Sequence, residues 1–106
     1  MDSLQQATKN FAEVILKSEV YQAYRTELEK VKQHPELKAQ IDEFRRKNYQ
    51  MQFRSDIDFD KLDRFEKEYE AFREQPLVAD FLAAELALCR MMQGVFMQIT
   101  DALDFE

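Results

Sequence analysis

Glycine and proline are almost missing from this chain, which has one glycine and two prolines in 106 residues. A β-sandwich or barrel needs a turn about every eight to twelve residues, and such turns use glycine, proline or asparagine. Apolar residues instead recur at intervals of three and four, the spacing that places them on one face of an α-helix. The sequence therefore predicts an all-α fold, an antiparallel bundle of four to five helices in a single domain that spans residues 1–106.

Polar residues predict the first two helix starts. Ser3 with Gln6 three residues later resembles a capping box, so the first helix is predicted near 3–17. Ser18 is a candidate N-cap for the second helix because its hydroxyl can accept a free amide of the first turn.

Two prolines mark later boundaries. Proline suits the first turn of a helix, so Pro35 predicts either a third helix or a kinked continuation of the second. The apolar pattern lapses near 54–58, which predicts a loop before the fourth helix. Pro76 precedes a long last helix, predicted over 77–103.

The last helix carries a broad apolar arc. Core packing explains an arc of this kind. The arc is, however, wide enough to contact two neighbouring helices, and five helices in a short chain cannot all be covered internally. A subunit interface is therefore the more specific hypothesis, and it predicts a homodimer or a hetero-oligomer. The predicted partner interface consists of Phe81, Leu88, Met91, Met92, Val95, Phe96 and Ile99.

Glu85 is the one carboxylate in the middle of that arc. A buried carboxylate without partners is costly, so we expect it to be paired or hydrogen-bonded. The candidate partners are Arg25 and the hydroxyls of Tyr21 and Tyr24. A structural polar contact is favoured over catalysis because no second acid or base is near in sequence. A small-ligand or enzymatic pocket organised by Glu85 is the alternative.

No complete catalytic motif is present, so the chain is predicted not to be an enzyme. Cys89 lies on the apolar side of the last helix, which predicts a buried structural cysteine rather than a nucleophile. The single histidine, His34, belongs to another segment. With Gly94 alone in the chain, a glycine-rich phosphate loop is missing.

Metal and cofactor sites are not predicted either. The run Asp56, Asp58, Asp60 begins like a calcium loop, but Lys61 and Lys67 occupy the positions of the required glycine and glutamate. The aspartates are therefore interpreted as capping and turn residues.

The charge of the chain argues against nucleic acid as its main partner, because the sequence has 15 basic and 21 acidic residues and a net charge of −6. One local cluster supports the opposite hypothesis, since basic side chains interleaved with aromatic ones can hold single-stranded RNA. A solvated face is the favoured interpretation. The cluster comprises Arg45, Arg46, Lys47 and Arg54 with Tyr49 and Phe53.

Membrane insertion is not expected. The longest uncharged stretch, 91–100, has ten residues, whereas a spanning helix needs about 20 apolar residues. The N-terminus has no signal-peptide pattern. A single cysteine fits a reducing compartment, so a cytoplasmic location is expected.

Two segments carry a family resemblance. The first runs over 11–19, with the sequence FAEVILKSE, and is followed by Tyr24 and Arg25; the second runs over 76–81, with the sequence PLVADF, and is followed by the Ala84-Glu85 step and Leu88. On these residues the chain resembles the YlbF/YmcA (Com_YlbF) family of bacterial regulatory helical proteins over essentially its whole length.

The resemblance implies a regulatory adaptor. Such proteins associate with one another and with a further cytoplasmic protein in Bacillus-type bacteria. They influence ribonuclease Y-dependent mRNA processing and, through it, competence, biofilm formation and sporulation. Some relatives also help to hold iron–sulfur clusters with their cysteines. This chain has only Cys89, so no cofactor is predicted for it.

Overall fold

The computed structural model describes residues 2–52 and 59–104. Within these ranges every regular element is an α-helix, so the all-α prediction is confirmed. The loop predicted near 54–58 lies outside the described residues. The helices are α1 (Ser3–Leu16), α2 (Glu19–Lys32), α3 (Pro35–Gln52), α4 (Phe59–Glu74) and α5 (Pro76–Ala102).

The helix caps confirm one prediction and correct another. Ser18 is the N-cap of α2, and its Oγ accepts the backbone N–H of Tyr21 at 3.1 Å. The capping box at Ser3 was wrong, because Asp2 caps α1 and accepts the backbone N–H of Leu4 at 3.1 Å. A carboxylate one residue earlier satisfies the free amide and also favours the positive end of the helix dipole.

Both prolines stand at the first position of a helix. Helix α2 ends at Lys32, and the N–H of His34 donates to the carbonyl of Val31 at 2.9 Å before Pro35 opens α3. Of the two alternatives, α3 is therefore a separate helix and not a kinked continuation. Pro76 opens α5 in the same way, where its missing amide costs nothing.

The core lies around the first half of α5. It joins α2 and α3 to this half, because apolar side chains from all three helices are removed from water together. Helix α5 makes its most extensive contact with α2. The buried core residues are Leu28 and Val31 of α2, Ile41 of α3, and Val78 and Phe81 of α5.

A second set of apolar contacts joins α3 to α4. The ring of Phe44 is stacked on Phe65 at 5.8 Å and lies 5.1 Å from Tyr69 and 6.0 Å from Phe72, measured between ring centroids. Offset and tilted rings at these distances attract beyond the area that they bury. This aromatic cluster fixes α4 beside the core.

The rest of the chain extends beyond this core. Helix α1 contains no buried residue, and the radius of gyration of 17.5 Å exceeds the value of about 13 Å for a compact domain of this length. None of the described helices combines the length and hydropathy that crossing a bilayer requires. Apolar surface at α1 and at the end of α5 is therefore left in contact with water.

Candidate interaction surface

Helix α5 carries a line of apolar residues that continues past the core. We name its second part, Cys89, Met92, Phe96, Ile99 and Leu103, the α5 seam. These residues follow one another at alternating steps of three and four, the spacing of a coiled-coil contact line. Their exposure is high, at 40% for Met92, 66% for Phe96, 50% for Ile99 and 68% for Leu103.

Helix α1 adds a second exposed apolar strip next to the α5 seam. We name Leu4, Phe11 and Val14 the α1 face; all three are exposed although α1 is strongly amphipathic. Between α1 and α5 lies an open groove of about 320 Å³, lined by Phe11, Val95, Gln98, Ile99 and Ala102. Contiguous exposed apolar residues of this kind mark sites of protein association.

The turn between α1 and α2 holds the α1 face in position. The hydroxyl of Ser18 donates to the carbonyl of Ile15 at 2.7 Å, while it also caps α2. The side-chain amide of Gln22 donates to the carbonyl of Leu16 at 2.6 Å. These bonds satisfy carbonyls at the C-terminal end of α1, so the N-cap residue of α2 and one side chain in its first turn fix the orientation of α1 relative to α2.

The structure separates the predicted interface residues into three groups. Phe81 is fully buried in the core and has no surface to offer, so its assignment to a partner interface is corrected. Leu88, Met91 and Val95 are half-buried, and Met92, Phe96 and Ile99 are exposed. Sequence reasoning did not assign the α1 face to the interface, although its amphipathic spacing was visible.

Glu85 is paired, but with a residue that was not among the candidate partners Arg25, Tyr21 and Tyr24. Its carboxylate accepts a hydrogen bond from Arg45 of α3. Arg25 instead pairs with Glu29 one turn further along α2, at 2.9 Å, so its assignment to Glu85 is corrected. The reason is geometric, because Arg25 reaches a carboxylate on its own helix without crossing to α5.

Arg45 covers the core at this point. Its guanidinium carbon lies 5.8 Å from the centre of the Phe81 ring, and one of its nitrogens is 3.0 Å from Asp42. Burial by itself lowers the pKa of Arg45, but the attraction of Glu85 and Asp42 outweighs it and the pKa is raised. Tyr24 packs on the same ring at 5.8 Å between centroids. Glu85, Arg45 and Tyr24 thus form a polar and aromatic lid over Phe81.

The basic cluster of α3 is largely neutralised by its neighbours. Besides Arg45, Arg46 pairs with Glu43 at 2.6 Å and Lys47 lies 3.9 Å from the same carboxylate. The Lys47 ammonium is 5.5 Å above the Tyr69 ring, and the hydrogen bond with Tyr69 raises the pKa of Lys47. Arg54 and Phe53 lie outside the described residues. This distribution of charge disfavours phosphate binding.

No reactive group is gathered elsewhere in the described part of the chain. Cys89 is exposed, so the prediction of a buried structural cysteine was wrong; it stands on α5 beyond the region that the core covers. Among residues 2–52 and 59–104, no three His, Cys, Asp or Glu side chains are placed to hold a metal ion. An open cleft of about 440 Å³ between α3 and α4 is lined by Glu43, Glu68, Tyr69 and other residues, but not by Glu85.

Comparison with known proteins finds a match to one family model. The family model Com_YlbF, described as control of competence regulator ComK, YlbF/YmcA, matches residues 4–104. No significant match is found among the curated proteins or among the solved structures.

Proposed function

The chain belongs to the Com_YlbF family over nearly its whole length, and on that premise we propose that it is a non-enzymatic regulatory adaptor. It acts by binding other proteins through the α1 face and the α5 seam. The observation that carries the proposal is the exposure of an apolar line on α5 whose first part, at Val78, is fully buried. Such a surface is costly in water unless a partner covers it.

The family description, control of competence regulator ComK, gives the regulatory setting. The resemblance implies that the effect runs through ribonuclease Y-dependent mRNA processing and reaches competence, biofilm formation or sporulation. Partners of this adaptor are then copies of itself, paralogous helical proteins or a ribonuclease-associated complex in the cytoplasm. Neutralised cations on α3 support protein rather than RNA as the bound molecule.

The test is complementation in the native cell. The gene is deleted, and transcription controlled by ComK and the processing of ribonuclease Y substrates are measured. We expect wild type to restore both, and Phe96→Asp to fail, because a charge in the α5 seam excludes an apolar partner. Phe59→Asp is the matched control, since Phe59 is an exposed phenylalanine on α4.

Circular dichroism and thermal unfolding verify that both variants fold. Full restoration by Phe96→Asp would contradict a role for the α5 seam in regulation. A deletion that leaves both readouts unchanged would contradict the regulatory proposal itself.

A further inference from the structure

We infer that the open cleft between α3 and α4 binds an arginine side chain from a basic segment of a partner protein. We name this cavity of about 440 Å³ the α3–α4 cleft. The inference goes beyond the proposed function, because the cleft is formed by helices other than α1 and α5. It is lined by Ala39, Gln40 and Glu43 of α3 and by Glu68, Tyr69 and Phe72 of α4.

The aromatic cluster creates the cleft by holding the two helices apart. Phe44 of α3 contacts three rings of α4 at 5.1–6.0 Å between centroids, so large side chains separate the two helices. Ala39 on the α3 wall has only a methyl group as its side chain. Space is therefore left open to the surface beside the rings of Tyr69 and Phe72.

The Tyr69 ring already attracts one cation of the chain itself. The Lys47 ammonium lies 5.5 Å from the centre of this ring. The pKa of Lys47 is raised by the hydrogen bond with Tyr69 and by the negative charges of Glu68 and Glu43, which together outweigh the effect of desolvation. The potential around the ring thus favours a positive group, and the electron-rich face of an aromatic ring acts in the same sense.

The two carboxylates of the cleft suit a guanidinium group. Glu43 already accepts two N–H groups of Arg46, at 2.6 and 3.2 Å, in a forked arrangement. An ionised carboxylate has about four acceptor positions, so Glu43 can accept further donors, and Glu68 lines the same space from α4. The amide oxygen of Gln40 adds a neutral acceptor. A guanidinium carries its N–H donors in one plane, so a single group can donate to acceptors on both walls.

The rings of the cleft favour arginine over lysine. The planes of Tyr69 and Phe72 meet at 78° with their centroids 5.9 Å apart, so the two rings form a corner beside the carboxylates. A guanidinium is planar and weakly hydrated, so it can lie against a ring while its edge donates to a carboxylate. The ammonium of lysine is compact and strongly hydrated, and it therefore loses more on leaving water.

The open shape of the cleft favours a side chain of a partner protein over a free small molecule. Small-molecule sites bury about 70–90% or more of their ligand, whereas four of the six lining residues here are exposed. A polypeptide that runs across the surface needs to insert only one side chain. The net charge of −6 also attracts basic segments from a distance and steers them towards the chain.

The test is an NMR titration of the full isotope-labelled chain with the peptide acetyl-Leu-Arg-Leu-amide, whose ends are uncharged. We expect saturable shifts concentrated at Gln40 and at residues 68–72. Citrulline in place of the arginine keeps the shape and removes the charge, so it should weaken binding by about tenfold or more through the loss of cation–π and ion-pair contacts. Lysine in place of the arginine should also bind less tightly.

Variants of the chain test the same contacts from the other side. Glu68→Gln is expected to weaken binding of the arginine peptide by about threefold to fivefold, the loss typical of an exposed ion pair. Glu70→Gln removes the same charge from an exposed position of α4 outside the cleft and should bind as wild type does. Gln40→Glu adds a carboxylate to the α3 wall and should tighten binding by about threefold. Circular dichroism verifies that the variants fold.

The absence of saturable shifts at millimolar peptide would overturn the inference, as would equal binding of the citrulline peptide or equal affinities of Glu68→Gln and Glu70→Gln. Agmatine, a free small molecule with the same guanidinium group, is the last arm. If it binds as tightly as the arginine peptide, the cleft is a small-molecule site and a partner's side chain is refuted as its occupant. These outcomes are distinct from failure of the proposed function, because Phe96→Asp tests the α5 seam separately in the cell.

Discussion

The two halves of α5 have the same apolar spacing but lie in opposite environments, one buried and one exposed. In the first half Val78 and Phe81 are fully buried, whereas in the second half Phe96 and Ile99 are exposed. The difference arises from the neighbours, because α2 has 14 residues and α5 has 27. At 1.5 Å per residue, α5 outruns α2 by about 20 Å. The apolar spacing along α5 determines which residues can be buried, and the length of the helix packed beside it determines which of them are buried.

The largest expected effect comes from comparing the same substitution, Phe to Ala, at a buried and at an exposed position of α5. Phe81→Ala removes a buried ring and is expected to lower the free energy of unfolding by about 3–5 kcal/mol. Phe96→Ala, at an exposed position of the same helix, should change it by less than about 0.5 kcal/mol in the monomer. Urea unfolding at a dilute, monomeric concentration measures both.

The opposite ranking would contradict the assignment of the core to the first half of α5. Raising the protein concentration sharpens the comparison, because association stabilises the folded state by mass action. Wild type should then gain stability with concentration, and Phe96→Ala should gain less.

The next effect compares the caps of α1 and α2. Ser18→Ala removes the acceptor for the Tyr21 amide and the bond to Ile15, and is expected to cost about 1 kcal/mol of global stability. Asp2→Ala should cost less, because α1 buries no residue and its first turn can fray alone. Amide hydrogen exchange separates global loss from local fraying. Equal global losses would indicate that α1 unfolds together with the core.

A smaller effect compares two ion pairs. The Arg45 and Glu85 pair links α3 to α5 and is partly buried, whereas Arg25 and Glu29 pair on the surface of α2. A double-mutant cycle with Arg45→Met and Glu85→Gln is expected to give a coupling of about 1 kcal/mol. The cycle with Arg25→Met and Glu29→Gln should give about 0.3–0.5 kcal/mol.

High salt should reduce the surface coupling more than the partly buried one. A coupling between Arg25 and Glu85 that exceeds that of Arg45 and Glu85 would restore the sequence-based assignment.

Local signals explain the parts of the fold that the sequence predicts. Ser18, Pro35 and Pro76 act on the backbone within a few residues, so the helix starts that they mark agree with the structure. The partner of Glu85 and the exposure of Cys89 could not be predicted in this way. They depend on which helix lies beside α5 and how far it reaches, and these are contacts between residues distant in sequence.

The smallest expected effect is the pH dependence contributed by Asp42, an exposed residue of α3. The hydrogen bond from Lys38 holds the pKa of the Asp42 carboxyl below its ordinary value. A lower pKa in the folded chain stabilises it above the unfolded pKa, and this stability is lost as pH falls through the folded value. Asp42→Asn should therefore lose less stability on acidification, by less than about 0.5 kcal/mol, in urea titrations. Glu70→Gln, at an exposed position of α4, is the control; equal slopes for Asp42→Asn and wild type would refute the assignment.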